Sequence, residues 1–198
     1  MALFLEPSQP FALAALANAY ETTKHSEDAN EVYDRIPPGS ALQSAIDIRK
    51  AFNLNALDRV DDAKMLLEKV AHAEPDDLKP LEALGNIMRS KKRYAEAVEY
   101  YSRAIAKIGK PQRRHWSYFY ARGTSYERLK KWPLAEADLQ RALQLYPDQP
   151  LVLNYLGYSW IDQGRNLRQG MGLIEKAVAL KPDDGYIVDS LGWAHFKL

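Results

Sequence analysis

Small and apolar residues recur along this chain in two series that share one period. The first series consists of alanine and glycine residues spaced 34 to 38 positions apart: Ala17, Ala51, Gly85, Gly123, Gly157 and Gly192. The second series pairs a small residue with a larger apolar one four positions later: Ala29/Tyr33, Ala63/Leu67, Ala97/Tyr101, Ala135/Leu139 and Gly170/Ile174. Two series with one period indicate that a single structural unit is copied five times and begun a sixth time.

The length of the period predicts a pair of helices in each copy. About 34 residues hold two α-helices of roughly four turns each, with two short turns. In the third copy, the apolar residues of each half are three, four or seven positions apart, as on one face of a helix: Leu81, Leu84, Gly85 and Met88, then Ala97, Tyr101 and Ala104. Because a lone helical hairpin cannot bury both apolar faces, the copies are expected to stack on one another.

These residues resemble the tetratricopeptide repeat (TPR) family, whose first helix carries Leu-Gly-x-x-Tyr and whose second carries Ala, an aromatic residue and Ala before a final Pro. The fourth copy follows this pattern: Phe119, Gly123, Tyr126, Ala135, Leu139, Ala142 and Pro147. The resemblance implies an all-α, right-handed superhelical solenoid of helix-turn-helix repeats, with five repeats and the first helix of a sixth. The repeats are predicted to form one domain over 1–198, at approximately 10–43, 44–77, 78–111, 116–149, 150–184 and 185–198, with 1–9 as the tail of a preceding repeat.

Both ends of the chain are expected to be cuts through a longer bacterial TPR protein. The segment from Ala2 to Pro7 resembles the segment from Ala142 to Pro147, where one repeat runs into the next. At the other end, the last predicted helix is a first helix with no second helix after it.

This last helix predicts an exposed apolar surface. We expect Val188, Leu191 and His195 to pack on the second helix of the fifth repeat, which leaves Ile187 and Phe196 on the opposite side. Exposed apolar surface of this kind tends to be covered by another molecule. The sequence therefore predicts self-association through the C-terminal helix.

Three repeats depart from the pattern. Repeat two has Asp47 and Lys50 where apolar residues are expected, and the two are predicted to pair on the surface. Repeat four has Arg122 in place of a leucine. Repeat five has Gly170 where alanine is usual and Gly172 nearby, and each glycine costs a helix about 1 kcal/mol relative to alanine. We expect this second helix to be the softest of the array.

Composition argues against several classes of function. The net charge is +1, so no bulk electrostatic attraction to nucleic acid or anionic lipid is implied. The chain has no cysteine, which excludes disulfides, zinc–thiolate sites and cysteine nucleophiles. No apolar run approaches the length of a membrane span, so no membrane insertion is expected in this segment. We therefore predict no catalysis, no cofactor, no metal site and no nucleic-acid partner.

The histidines and one basic loop offer functional alternatives. The four histidines lie in different repeats, and His195 stands where other repeats carry a core aromatic, so core packing is expected for it. Lys110, Arg113, Arg114 and His115 precede a run of aromatic residues, a composition found in platforms for single-stranded nucleic acid. A solvated loop is the preferred interpretation, with contact to an anionic partner as the alternative.

The candidate binding surface follows from the resemblance, because in TPR arrays the first helices line the concave face. Carried onto this chain, the predicted partner-binding residues are Asn86, Arg89, Tyr120, Thr124, Glu127, Asn154, Tyr158, Asp162, Asp189 and Trp193. Rings and amides suit an extended peptide, although exposed rings could instead cover a neighbouring repeat. The lysine–asparagine clamp for a terminal carboxylate is incomplete, since Ala121 stands where a second asparagine is needed.

The sequence thus predicts a scaffold that binds a peptide or protein segment in its groove. The alternative is a repeat region that presents substrates to an enzyme domain outside this segment, such as a glycosyltransferase. Nucleic-acid binding is disfavoured by the net charge. Long arrays of this type occur in bacterial cell-envelope and assembly proteins, and both a periplasmic and a cytoplasmic location stay open.

Overall fold

The computed structural model describes residues 9–198, and all regular elements in this range are helical. The first six helices are α1 (Pro10–Thr22), α2 (Ser26–Asp34), α3 (Gln43–Ala56), α4 (Val60–Ala73), α5 (Lys79–Ser90) and α6 (Tyr94–Lys107). A 3₁₀ turn (Arg113–His115) is followed by α7 (Trp116–Arg128), α8 (Trp132–Leu145), α9 (Pro150–Asp162), α10 (Leu167–Leu180) and α11 (Gly185–Lys197). The predicted all-α fold of five helical hairpins and the first helix of a sixth is confirmed. The proposed resemblance of residues 2–7 to a repeat tail lies outside the described residues.

The chain forms two compact units, which meet in sequence between Lys107 and Ile108. In the first unit, each of α1 to α5 packs on the next helix in sequence, and α3 also contacts α5. One cluster of its core contains Leu13, Ala17, Ala29, Tyr33 and Ile46. The apolar residues predicted for the third repeat are buried between α5 and α6: Leu81, Leu84, Gly85, Met88, Ala97, Tyr101 and Ala104.

In the second unit, α7 to α11 also pack in sequence order, and α9 contacts α11. Small residues allow the helices of each hairpin to approach closely. A Cβ atom at Gly157 would lie 2.7 Å from the backbone oxygen of Gly170. Gly170 therefore has a packing role, because α9 and α10 meet backbone to backbone at this point. The softness of α10 stays a prediction.

The turn inside every hairpin has one geometry. A residue with φ between 58° and 67° occupies the same place in each: Lys24, Asp58, Lys92, Lys130 and Gly164. The backbone N–H of the next residue donates to a carbonyl five positions earlier at 2.8 to 2.9 Å, and the donors are His25, Arg59, Arg93, Lys131 and Arg165. This is the Schellman motif, which satisfies carbonyls at a helix C-terminus. Four of the five left-handed residues are not glycine, so the repeat tolerates some backbone strain there.

The charged departures in repeats two and four are both accommodated by pairing, and in repeat two the pairing differs from the prediction. Asp47 and Lys50 do not pair with each other: Asp47 accepts a hydrogen bond from Gln43 Nε2 (3.0 Å), and Lys50 forms an ion pair with Asp34. The prediction was wrong because the aspartate on the preceding second helix lies closer to the lysine. In repeat four, the Arg122 guanidinium makes two hydrogen bonds to the buried Asp138 carboxylate of α8, at 2.7 and 2.8 Å.

The packing face of α11 also differs from the prediction. Ile187 is fully buried with Leu153 and Ala177, whereas Val188 is exposed. Ala194 packs on Ile161 and Ile174, and Leu191 is partly buried beside it.

His195, expected in the core, is exposed. The buried stripe is therefore shifted by one residue, to Ile187, Ser190 and Ala194, because the small side chain of Ala194 packs closely against the isoleucines of α9 and α10. Phe196 is exposed, as expected.

Candidate binding grooves on the first helices

A groove of about 310 Å³ lies among the first helices α7, α9 and α11 of the second unit, and we call it the C-terminal groove. Its lining residues are Glu127, Arg128, Asn154, Tyr155, Tyr158, Ser159, Tyr186, Asp189 and Ser190. The periodicity of α9 explains the arrangement, since Asn154 and Tyr158 are one turn apart and face the same side. The cap of α11 fixes the opposite wall, because the Asp184 carboxylate accepts the backbone N–H groups of Tyr186 and Ile187.

One wall of the C-terminal groove is held by a tyrosine–glutamate contact. The Tyr155 hydroxyl donates to Glu127 Oε2 at 3.0 Å, and the Tyr155 ring meets the edge of Tyr120 at 5.9 Å between centroids. Burial and the nearby Glu127 carboxylate raise the pKa of Tyr155 well above its usual range, so the phenol stays a donor. Arg128 Nε lies 3.5 Å from the same Glu127 carboxylate, which offsets its charge.

The buried part of the groove contains a polar atom without a partner. Asn154 is 6% exposed, and its side-chain oxygen accepts no hydrogen bond within the described residues. Buried carbonyl groups in proteins are nearly always hydrogen-bonded, and leaving one unpaired costs about 1–3 kcal/mol. Ser190, also buried, donates its hydroxyl to the Tyr186 backbone oxygen at 3.1 Å. Asn154 is thus a buried lining residue of this groove whose side-chain oxygen has no donor from the described residues.

The mouth of the groove is aromatic and acidic. The side chain of Tyr158 is 38% exposed, and Tyr186, Asp162 and Asp189 are exposed around it. Burial raises the pKa of Tyr158, and the charges of Asp162 and Asp189 contribute to the increase. A neighbouring cleft of about 390 Å³ continues along α11, lined by Tyr158, Asp189, Gly192, Trp193 and Phe196.

The first unit has a groove of its own between α3 and α5, about 330 Å³ in volume, which we call the N-terminal groove. Its lining residues are Ala45, Ile48, Arg49, Phe52, Lys79, Glu82, Ala83 and Asn86. Side chains of the second helices reach its polar groups. The Tyr101 hydroxyl donates to Asn86 Oδ1 at 2.8 Å, and burial raises the pKa of Tyr101 to about 12.

Arg49 of the N-terminal groove is also hydrogen-bonded to residues of the first unit. Its Nε donates to the Tyr33 hydroxyl at 2.7 Å, and its Nη2 donates to Asn18 Oδ1 at 2.6 Å. It also forms an ion pair with Glu21. This network holds the guanidinium against the hairpin of α1 and α2.

The predicted partner-binding residues are divided among these surfaces. Glu127, Asn154, Tyr158 and Asp189 line the C-terminal groove, Trp193 lines the cleft beside it, and Asn86 lines the N-terminal groove. Asp162 lies next to Tyr158 without lining a groove, and Arg89 and Tyr120 are partly buried outside the lining. Thr124 is buried and donates its hydroxyl to the Ala121 backbone oxygen at 3.0 Å.

Sequence reasoning missed Arg128, Tyr155, Ser159 and Ser190 as lining residues. The repeat pattern gives no signal for them, because they flank the expected face by one position. A wider face on each first helix would have included them.

The basic loop before α7 contacts aromatic residues of the same unit. The Arg113 guanidinium stacks over the Tyr146 ring at 3.8 Å, and Trp116 meets Tyr146 edge-on. His115 is buried, and burial together with Arg114 lowers its pKa. These contacts fix the entry into α7.

Within residues 9–198, no three or more His, Cys, Asp and Glu side chains cluster in a way that could hold a metal ion. The helices of this range also lack the combination of length and apolar character that crossing a membrane requires.

Comparisons with known proteins find a relative and solved structures that match most of this chain. The chain is 30% identical over 192 residues to the TPR repeat-containing protein PA4667 of Pseudomonas aeruginosa, covering 94% of this chain and 30% of that protein. The yeast Tom70 structure matches 99% of this chain and 41% of its own, with a TM-score of 0.83 and 15% identity. The structure of YrrB, a TPR protein with an unusual peptide-binding site, matches 98% and 80% of the two chains, with a TM-score of 0.54 and 16% identity. A model of the tetratricopeptide repeat family matches residues 54–112 and 120–185, more than half of the chain, which therefore belongs to the tetratricopeptide repeat family.

Proposed function

We propose that this chain is a scaffold that binds an extended segment of a partner protein in its C-terminal groove. The TPR fold by itself suggests a protein–protein interaction scaffold. The observation that carries the more specific proposal is the unpaired Asn154 oxygen, buried in a groove lined by tyrosine rings. Rings supply contact area at low entropic cost, and an amide pairs with the backbone of a peptide.

The N-terminal groove supports the proposal by contrast. Its Asn86 oxygen and its Arg49 guanidinium are hydrogen-bonded to Tyr101 and Tyr33. The Asn86 oxygen and the Arg49 guanidinium thus already have partners within the fold, whereas a donor that reaches the Asn154 oxygen adds the first hydrogen bond to that atom. The volumes of the two grooves are similar, so the difference lies in the polar groups.

The proposal is tested by selecting peptides from a random linear display library against the 198-residue chain and measuring their binding by fluorescence anisotropy. Tyr158→Ala removes an exposed ring of the groove and is expected to weaken selected peptides at least about tenfold. Leu134→Ala is the matched control, because Leu134 is an exposed apolar residue on α8 outside the groove.

Thermal unfolding of both variants should match the wild type. If no library peptide binds, or if Leu134→Ala weakens binding as much as Tyr158→Ala does, the proposed site is wrong.

A further inference from the structure

We propose that the C-terminal groove selects a segment with a lysine or arginine side chain, held against Tyr158 between Asp162 and Asp189, while Asn154 accepts an N–H group of the same segment. The inference rests on the proposed function and adds the chemistry of the partner. It draws on charge, on ring geometry and on the unpaired amide, which are independent features of the groove.

The charges at the mouth are the first argument. Asp162 lies one turn after Tyr158 on α9, and Asp189 reaches the same ring from α11. Neither carboxylate pairs with a cationic side chain anywhere in residues 9–198. Arg128, the one cationic lining residue of this groove, neighbours Glu127 and is offset by it. Two uncompensated negative charges therefore remain at the mouth.

The rings beside these carboxylates favour an organic cation. A lysine ammonium or an arginine guanidinium is attracted to the face of an aromatic ring, and Tyr158 and Tyr186 both line the groove. The chain itself contains such a contact one helical turn after Asp189 on α11, where the Lys197 ammonium lies 5.3 Å from the centre of the Trp193 ring. Trp193 shares a cleft with Tyr158 and Asp189.

The unpaired Asn154 oxygen is the third argument. It is buried in the lining of the groove and needs a hydrogen-bond donor. A peptide supplies one through its backbone N–H, whereas an inorganic cation would leave the amide unpaired or require more oxygen ligands. No cluster of metal-binding side chains occurs in the described residues. An occupant that carries both an N–H donor and a flexible cation is therefore favoured over a metal ion.

An acidic or purely apolar occupant would be disfavoured by the same groups. It would bring negative charge or low-polarity surface against Asp162 and Asp189 without compensating them, and removing an unpaired charge from water is costly. Since both carboxylates are exposed, salt should screen their effect. The preference for a cation is thus expected to weaken as ionic strength rises.

The experiment uses peptides selected from the random library and replaces each basic residue of a binder by norleucine, which keeps the chain length and removes the charge. Against the wild type, the replacement is expected to weaken binding about tenfold. Against Asp162→Asn with Asp189→Asn, the original peptide should bind about tenfold more weakly, and the norleucine replacement should weaken binding by clearly less than it does against the wild type, since only the attraction of the rings remains. Glu175→Gln with Asp183→Asn is the control, since it changes the net charge equally at exposed positions outside the groove.

Each outcome decides the inference. Peptides that bind through Tyr158 without needing a basic residue overturn it and leave the proposed function standing. Equal losses in the groove variant and in the charge control assign the effect to net charge, which also overturns it. If no peptide binds the wild type, the proposed function and the inference fall together.

Discussion

The two grooves differ most in whether side chains of the second helices form hydrogen bonds to polar groups of the first helices. Asn86 and Tyr158 occupy the same repeat position, directly after Gly85 and Gly157. In the first unit, the second helix opposite carries Tyr101, whose hydroxyl reaches Asn86. In the second unit, Ile174 holds the position equivalent to Tyr101 and has no hydroxyl to offer.

The difference teaches that the residue at this position of the second helix decides whether a hydroxyl is offered to the inner face of the first helix. A tyrosine buries its ring in the hairpin and uses its hydroxyl on the first helix. A branched aliphatic residue such as Ile174 fills the same core position without a hydroxyl, and the Asn154 oxygen on the facing first helix has no hydrogen-bond partner among the described residues. Tyr33 of α2 uses its hydroxyl on the next repeat instead, where it accepts a hydrogen bond from Arg49 of α3.

The largest expected effect compares two charged residues that replace a leucine of the repeat. Arg122 is paired with the buried Asp138, whereas Lys50 is paired with the exposed Asp34. Asp138→Ala leaves a largely buried guanidinium without its carboxylate and is expected to lower the free energy of unfolding by about 3 kcal/mol. Asp34→Ala should lower it by about 0.5 kcal/mol or less. Urea unfolding measures both, and equal losses would show that burial does not distinguish the pairs.

The next largest loss of stability is expected at the close contact between α9 and α10. Gly157→Ala places a Cβ atom 2.7 Å from the Gly170 backbone oxygen, which cannot move aside as a side chain would. We expect a loss of about 2 kcal/mol in the free energy of unfolding. Gly192→Ala is the control: a Cβ there meets nothing within 4 Å, so the variant should gain up to about 1 kcal/mol from helix propensity. The same sign for both variants would contradict the packing described.

A smaller loss of stability should follow when the Asn86 side-chain amide of the first unit loses its hydrogen bond from Tyr101. Tyr101→Phe removes the hydroxyl from Asn86 Oδ1 and is expected to cost about 1 kcal/mol of stability. Tyr94→Phe is the control, because its hydroxyl has no hydrogen-bond partner among residues 9–198. Thermal unfolding compares the two. If they are equally stable, the hydroxyl does not hold Asn86, and the contrast between the grooves loses its basis.

The smallest expected effect is weak self-association through α11. Tyr186 is 82% exposed and Phe196 is 79% exposed, and Leu198 adds further apolar surface. Light scattering at rising protein concentration should detect an increase in mass that Phe196→Glu abolishes. Phe11→Glu changes an exposed phenylalanine of α1 and should leave the mass unchanged. A wild type that stays monomeric, or an equal effect of both variants, would contradict the prediction.

The sequence predicted the fold well because the positions that define the repeat pattern are mostly buried positions. Gly85, Gly123 and Gly157 all stand at close helix contacts, as their spacing indicated. The pattern predicted less about the last helix, where Ile187 and Val188 are equally apolar neighbours. Which of them is buried depends on the shapes of α9 and α10, and these are not encoded in the periodicity of α11.

The candidate site was predicted in part for a similar reason. Helical periodicity brought Asn154 and Tyr158 to one face, and both line the C-terminal groove. It did not reveal that Asn86 would be held by Tyr101, since that contact depends on the second helix. Arg122 and Asp138, sixteen positions apart, illustrate the same limit: side-chain pairs between helices follow from packing, not from period.

The central claim is that a peptide binds at Asn154 and not at Asn86. The side-chain amide signals of these two asparagines can be followed by ¹⁵N-edited NMR while a library-selected peptide is added to the labelled chain. The account predicts that the Asn154 signal and the backbone signals of α9 and α11 shift with peptide concentration while the Asn86 signal stays in place. Shifts of Asn86 and of α3 and α5, with Asn154 unmoved, would contradict it.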